Sequence, residues 1–500
     1  MVNCLKPKKS CLYVLTLAGL LSIFLMSSAI AVDSTSDNTA SDSKPTGFTD
    51  KPTNLIQIYE LARENDPVFQ SQRYLYESSP EIENQAWADL LPSVGFSAYY
   101  SKAEQEILDT TVAVYGGSSA NYPSKGFDLR LKQPLFEYSL FKRLSQAKEE
   151  VKRAAFEFES AKQDLILRVA EAYIEVLTAH DNLEFTRAEE DGLKFHFELA
   201  KERYNNGLAP IMDFHDAKAR YAYVTAQRVK AEYFLDDALE SLAEITGKRI
   251  DNLSRLKFEL NAISDDTSRA AKTKQAEKVE FKAAKGTMPL VNPDPDHIND
   301  WIDAALKQNF EIHIWEQDVV IARQEIARQK GGHYPTLEFV GRFFTDDVGG
   351  SLYGGSSNVE TGEALVQVNI PIYEGGSVNS KVRTALKGYA SAEENLKKKR
   401  REIKRETMSA FLGVKSAIKN TVALSQAVVS SQIALEAKRE SYKSGLMPSL
   451  VVSDAVRDHY LSKRDFAKAQ YEYIQNSLRL KKVVSRLDGL DLVRINQWLK

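Results

Sequence analysis

Cysteine is almost absent. The chain has two, Cys4 and Cys11, and both precede its first apolar run. That excludes disulfides and thiolate metal sites from everything that follows, so packing alone must hold the fold. Long apolar runs are missing too. Past residue 31 no stretch reaches 18 consecutive apolar residues, which excludes a later transmembrane helix. Proline is missing over residues 135–209 and again over 372–447, leaving two long intervals free of helix breakers. No charge sign dominates: 66 basic against 69 acidic residues give a net −3, with no footprint for nucleic acid. Catalytic signatures are lacking: no P-loop, no H-E-x-x-H and no G-x-S-x-G. The seven histidines form no close ligand cluster, and His215 diverges from its neighbours Asp213 and Asp216 on a helix. Neither an enzyme nor a bound cofactor or metal is expected.

The remaining composition, 43% hydrophobic and 27% charged, is that of a folded chain, neither disordered nor polytopic. Its N-terminus reads as a secretory signal over residues 1–31. Lys6, Lys8 and Lys9 are the basic region, Leu12 to Met26 the apolar core, and Ala29-Ile30-Ala31 the cleavage site. Cleavage removes three of the 66 basic residues and none of the 69 acidic ones. No cysteine follows the apolar core, so acylation is not indicated. Residues 32–53, rich in Ser, Thr and Asp, read as a flexible leader.

The body of the chain is a duplication. Tyr204-Asn205-Asn206-Gly207-Leu208-Ala209-Pro210 returns as Tyr442-Lys443-Ser444-Gly445-Leu446-Met447-Pro448, and Asp216-Ala217 as Asp454-Ala455. Gln133-Pro134-Leu135-Phe136-Glu137 returns as Ile370-Pro371-Ile372-Tyr373-Glu374. Repetition at this length predicts one unit built from two halves: residues 54–260, a connector over 261–297, and residues 298–495.

Each half carries the same predicted elements. Leu55 to Leu91 reads as a helix closed by Pro92. Ser93 to Ile107 alternates as a strand, with Val94, Phe96, Ala98 and Tyr100 on one face and Tyr99 as the exception on the other. Tyr115 to Pro123 reads as a loop, and Phe127, Leu129, Leu131 and Leu135 mark a second strand. In the second half Leu337, Phe339, Gly341 and Phe343 alternate, residues 348–357 form the loop, and Val366, Val368 and Ile370 alternate in the partner. One apolar and one polar face suit a strand of an outer-membrane barrel. Alternation alone equally fits a half-buried hairpin on a soluble core.

The long helices decide against a compact core. Tyr138–Asn205 and Ser377–Ser444 each predict a rod of ~100 Å at ~1.5 Å per residue. Val151, Ala155, Phe158, Leu165, Val169, Ala172 and Val176 form one stripe, and Ile166, Ala170, Tyr173 and Leu177 another beside it. Leu424, Val428, Leu435 and Tyr442 belong to the stripe of the second rod. Two adjacent stripes let one helix touch two neighbours, as in the wall of a tube. Gly207 and Gly445 are expected to end the rods, and Pro210 and Pro448 to start returning helices over Ile211–Thr246 and Ser449–Leu487.

Four strands cannot close a membrane barrel, which takes about eight at the narrowest, and open edges cannot face lipid. If these strands enter a membrane, several chains must therefore share one barrel. Here the chain resembles the TolC family of outer-membrane channels. The likeness rests on the duplicated element order and on Asn206-Gly207-Leu208, Ile245-Thr246-Gly247, Pro371-Ile372-Tyr373-Glu374-Gly375-Gly376 and Val378-Asn379-Ser380. It implies an α+β membrane protein, a long α-helical barrel continuous with a transmembrane β-barrel shared by a homotrimer. It also implies a passive exit duct in the outer membrane of a Gram-negative bacterium. The implied partners are outer-membrane lipid, a periplasmic adaptor protein and, through the adaptor, an inner-membrane pump or ABC transporter that exports drugs or secretes proteins. The reading from another class is a secreted or surface-bound coiled-coil scaffold or adhesin without a pore.

The resemblance also assigns residues. Gly207, Leu208, Gly445 and Leu446 match the tips where the adaptor docks; plain helix capping explains the same glycines. Asp213 and Tyr442 match two members of the contact that holds the tunnel shut, whereas Met447 occupies the position of its arginine. Asp454 matches one of two acidic rings at the entrance, and Val451 stands where the other would be. An ordinary solvated aspartate is the plainer account of Asp454. Lys397-Lys398-Lys399-Arg400-Arg401 is expected to be a solvated helix face. Tyr99, Tyr100, Phe343, Phe344 and Tyr353 are candidates for aromatic anchors at the membrane interfaces.

Overall fold

The computed structural model describes residues 52–106, 119–256, 290–351 and 355–499. The signal, the leader before residue 52, Tyr353 and residues 257–289 of the connector lie outside them.

The first predicted helix is three. α1 (Leu55–Asn65), α2 (Pro67–Ser78) and α3 (Pro80–Ala88) follow one another, because Pro67 and Pro80 each open a new helix at its first position. Proline has no N–H to continue the preceding turn and a φ already suited to a helix start. Asp66 caps α2 by accepting from Phe69 N at 2.8 Å. Buried to 2% exposure, it also pairs with Arg168 Nη2 at 2.5 Å.

β1 (Ser93–Glu106) and β2 (Ser119–Phe136) come next. Part of the expected loop, Ser119 to Pro123, belongs to β2 instead. Its polar residues pair with β1, Ala103 with Tyr122 and Gln105 with Ala120, so backbone pairing continues where the apolar alternation stops. β3 (Thr336–Val348) and β4 (Ser357–Asn369) complete one antiparallel sheet in the order β1-β2-β3-β4. β1 and β4 are its two edges.

The two rods, 68 and 67 residues long, fill most of the proline-free intervals. α4 runs over Tyr138–Asn205 and returns as α5 (Ile211–Thr246). After α6 (Ile298–Gln308) and α7 (Phe310–Lys330), α8 runs over Ser377–Lys443 and returns as α9 (Ser449–Val483), followed by α10 (Gly489–Asn496). α9 stops before Leu487, where Ser485 takes a positive φ of 53°. α4 packs on α5 and α8 on α9. Toward the sheet α7 fits between α4 and α8, while α2 and α3 lie along α4. None of the described helices is long and apolar enough to cross a membrane.

The main core lies midway along the rods. Leu165, Val169, Ala172 and Val176 of the first stripe, and Ile166, Ala170, Tyr173 and Leu177 of the second, are all buried there. They pack with Leu55 and Ile58 of α1, Trp301 of α6 and Leu492 of α10. Val151, Ala155 and Phe158, nearer the sheet, are only half-buried. Tyr173 Oη donates to the carbonyl of Ser254 at 2.5 Å, and Asn309, which caps α7, donates through Nδ2 to Val483 O at 2.8 Å. The described end of the connector lies against this belt, with Val291 N on Tyr473 Oη at 3.0 Å and Asp296 on Lys415 Nζ at 2.7 Å.

The basic run in α8 is a solvated face, with Lys399 alone half-buried. Lys399 pairs with Glu311 at 2.8 Å and Arg400 with Glu316 at 2.8 Å. Both carboxylates belong to α7, so the run ties two helices together.

Candidate functional site

The register of the sheet sorts its side chains by face. Phe96 stands opposite Leu129, Leu129 opposite Phe343, and Phe343 opposite Gly362. Val94, Leu131, Gly341 and Ala364 form the next row, and Phe339 and Val366 another. One face is therefore apolar across all four strands, and it is open: Phe96 is 69% exposed, and Val94, Val366 and Val368 are exposed as well. Water would not favour such a face, since each exposed Å² of apolar surface costs ~25 cal/mol relative to burial.

The other face carries charge. Arg342 pairs with Asp128 and Lys132 with Glu338 at 2.8 Å, whereas Lys125 and Asp347, paired at 3.4 Å, share the register of Leu129 and Phe343 and end the apolar face at the loop side. Tyr99, the exception in the alternation, belongs to this polar side and donates its hydroxyl to Asp346. It reaches across β2 above Gly126, its partner in register. A Cβ there would come within 2.9 Å of the Tyr99 ring.

At the opposite end of the rods are the two reversals. Gly207 and Gly445 hold φ of 71° and 75°, left-handed values that glycine adopts without strain. The N–H groups of Leu208 and Leu446 close the turns on the carbonyls of Arg203 and Ser441, at 2.8 and 3.0 Å. Both leucines then project outward, 70% and 80% exposed. Asp213, Tyr442 and Met447 line one cleft of about 260 Å³ between the reversals, together with Arg203. Among the described residues no hydrogen bond joins Asp213 to Tyr442.

Tyr442 is instead buried, 5% exposed, among Leu193, Leu435, Val452 and Val456. Arg203 covers its ring at 5.0 Å, a cation–π distance. His196 meets the ring edge-on at 6.2 Å. Among the described residues neither nitrogen of His196 has a hydrogen-bond partner. Burial, with Arg439 nearby, pushes its pKa down to about 4.

Asp454 is not a free carboxylate. Arg220 of α5 holds it at 2.6 Å, and Arg457 lies 3.4 Å from the same oxygen. Further along the seam Arg464 of α9 pairs with Glu189 of α4 at 3.2 Å. Sequence reasoning missed Arg203, Arg220 and His196. Arg220 had a signal: it lies seven residues after Asp213, on the same helix face.

His180, Asp181 and Glu184 come close enough to suggest a cation site. The Arg255 guanidinium already contacts His180 at 2.7 Å and Glu184 at 2.9 Å, and Tyr471 donates to Asp181 at 2.6 Å. Those contacts meet the negative charge without an ion.

The sequence matches the outer membrane efflux protein family over residues 58–248 and 301–486. It is 29% identical to the outer membrane protein TolC of Vibrio cholerae, over 89% of this chain and 94% of that protein. It is 23% identical to the proteases secretion protein PrtF of Dickeya chrysanthemi, over 89% and 91%. Among solved structures, the CmeC outer membrane channel of Campylobacter jejuni superposes with a TM-score of 0.68 at 16% identity, covering 91% of this chain and 93% of that one. CusC gives 0.67 at 15% identity, covering 89% and 95%.

Proposed function

Since the chain belongs to the outer membrane efflux protein family, we propose that it is a passive exit duct of the Gram-negative outer membrane, extending into the periplasm. Three copies pool their sheets into one barrel and their rods into one tunnel. The carrying observation is the four-stranded sheet with an open apolar face and two unpaired edges. Lipid is the medium that face fits, and sister chains are the partners that satisfy the edges. The charged face, with Arg342, Asp128, Lys132 and Glu338, then lines water. A scaffold without a pore would leave the apolar face without a medium.

Residues 54–260 and 298–495 serve as the two repeats of the duct. Leu208 and Leu446, held outward by Gly207 and Gly445, serve as the knobs that a periplasmic adaptor grips, and through it an inner-membrane pump or ABC transporter. Efflux and type I secretion both use this arrangement. Asp213, Tyr442, Met447 and Asp454 stand at the narrow end, where the duct closes.

Purified protein from detergent-extracted outer membranes should insert into a planar bilayer and give discrete, ion-conducting steps. Material that fractionates with soluble proteins and leaves the bilayer silent would refute the reading.

A further inference from the structure

We propose that the ion pair between Arg220 and Asp454 is a latch, joining the two hairpins of each chain and cancelling the charge at the narrow end of the duct. This rests on the duct reading and adds to it the residues that hold the hairpins together. Arg220 is on α5 and Asp454 on α9, the returning helices of different repeats. The Nη1–Oδ1 distance of 2.6 Å is that of a charge-assisted hydrogen bond. The side chains are only 27% and 35% exposed, so salt screens the pair less than a surface pair. Arg457 adds a second cation at 3.4 Å and itself pairs with Asp458 at 3.0 Å. Two arginines and two aspartates thus cancel locally.

Two more arginines act along the same seam. Arg203 of the first hairpin lies over Tyr442 of the second, and Arg464 of the second pairs with Glu189 of the first. Among these three, Arg220 makes the shortest bond to a carboxylate across the seam. Splaying the hairpins would break it. A closed entrance therefore does not require an arginine at position 447, and Asp454 does not act as an isolated cation-attracting ring. The latch and the simple ring differ in sign. A ring that only attracts cations loses conductance when its charge is removed, whereas a latch opens.

Full-length wild-type protein in a planar bilayer gives the reference conductance, and that recording alone judges the duct reading. Arg220→Gln and Asp454→Asn should each raise basal conductance several-fold. Arg220→Gln should also increase cation selectivity, because it uncovers Asp454. The swap Arg220→Asp with Asp454→Arg should return conductance toward wild type. The hairpin separation is read independently by spin labels at Lys218→Cys and Leu461→Cys, in a background lacking Cys4 and Cys11. The label distance should widen in both single variants and recover in the swap. Single variants with wild-type conductance and label distance, a fall in conductance for Asp454→Asn, or a swap as open as the singles would overturn the latch.

Discussion

Tyr99 reaches Asp346 by crossing a whole strand. Its hydroxyl bonds the carboxylate two strands away, and the path is open because the residue between them is Gly126. The one aromatic that breaks the alternation of β1 thus pins three strands together on the charged face.

Removing that hydroxyl should weaken the sheet. Tyr99→Phe removes a hydrogen bond to a carboxylate, so it should lower the unfolding temperature of the assembled particle. Gly126→Val should act more strongly, because its side chain would meet the Tyr99 ring and the backbone of Thr345. Heat-modifiability on gels and the yield of assembled particle measure both.

Asp66 has two tasks, capping α2 and neutralising Arg168. Asp66→Ala leaves a half-buried guanidinium without its carboxylate and α2 without its cap. Losing the cap alone costs about 1 kcal/mol, and the unpaired guanidinium, 34% exposed, adds to that loss. A thermal melt should show that loss, with early proteolysis between residues 54 and 90. Arg168→Ala should act in the same direction and less than additively.

His196 predicts an acid-sensitive lower tunnel. Its folded pKa, near 4, lies below its ordinary 6.5. Between those values the unfolded chain takes up a proton that the folded one refuses, so stability falls as pH drops from about 6.5 to about 4. The full effect is at most about 3 kcal/mol per chain. Melts of wild type and His196→Leu at pH 7.5 and pH 5 should show a smaller acid loss in the variant. Equal losses would exclude His196 as the source.

The tips predict a separation of functions. Leu208→Ser and Leu446→Ser should each weaken adaptor binding by about 1–2 kcal/mol, roughly tenfold. Bilayer conductance should stay at the wild-type level, since both side chains point into solvent. Adaptor titration by surface plasmon resonance measures the first effect.

Much of the fold was legible because its signals are local. Missing prolines gave the rods, Gly207 and Gly445 gave their ends, and Phe127, Leu129 and Leu131 gave the face of β2. The breaks at Pro67 and Pro80 were equally local and were read through, because the apolar pattern of α1 and α2 continues across Asp66. The polar start of β2 was invisible to alternation, since backbone pairing rather than side-chain burial extends it. In α8 the buried stripe runs through Thr421 and Ser425, polar residues that no hydropathy pattern selects. Their hydroxyls bond carbonyls of their own helix, Ala417 O at 2.8 Å and Val422 O at 2.7 Å, so their burial leaves no donor unpaired. Near the reversals the resemblance supplied Asp213, Tyr442, Met447 and Asp454 but not what surrounds them. Arg203 and Arg220 matter through contacts between hairpins, with residues 239 and 234 positions away in sequence, which only the folded chain brings together.

The mass of the detergent-extracted particle tests the central claim most directly. If unpaired edges and an open apolar face are completed by sister chains, native mass spectrometry will find three copies of one polypeptide. A stable particle of a single copy, with β1 and β4 still unpaired, would contradict the account.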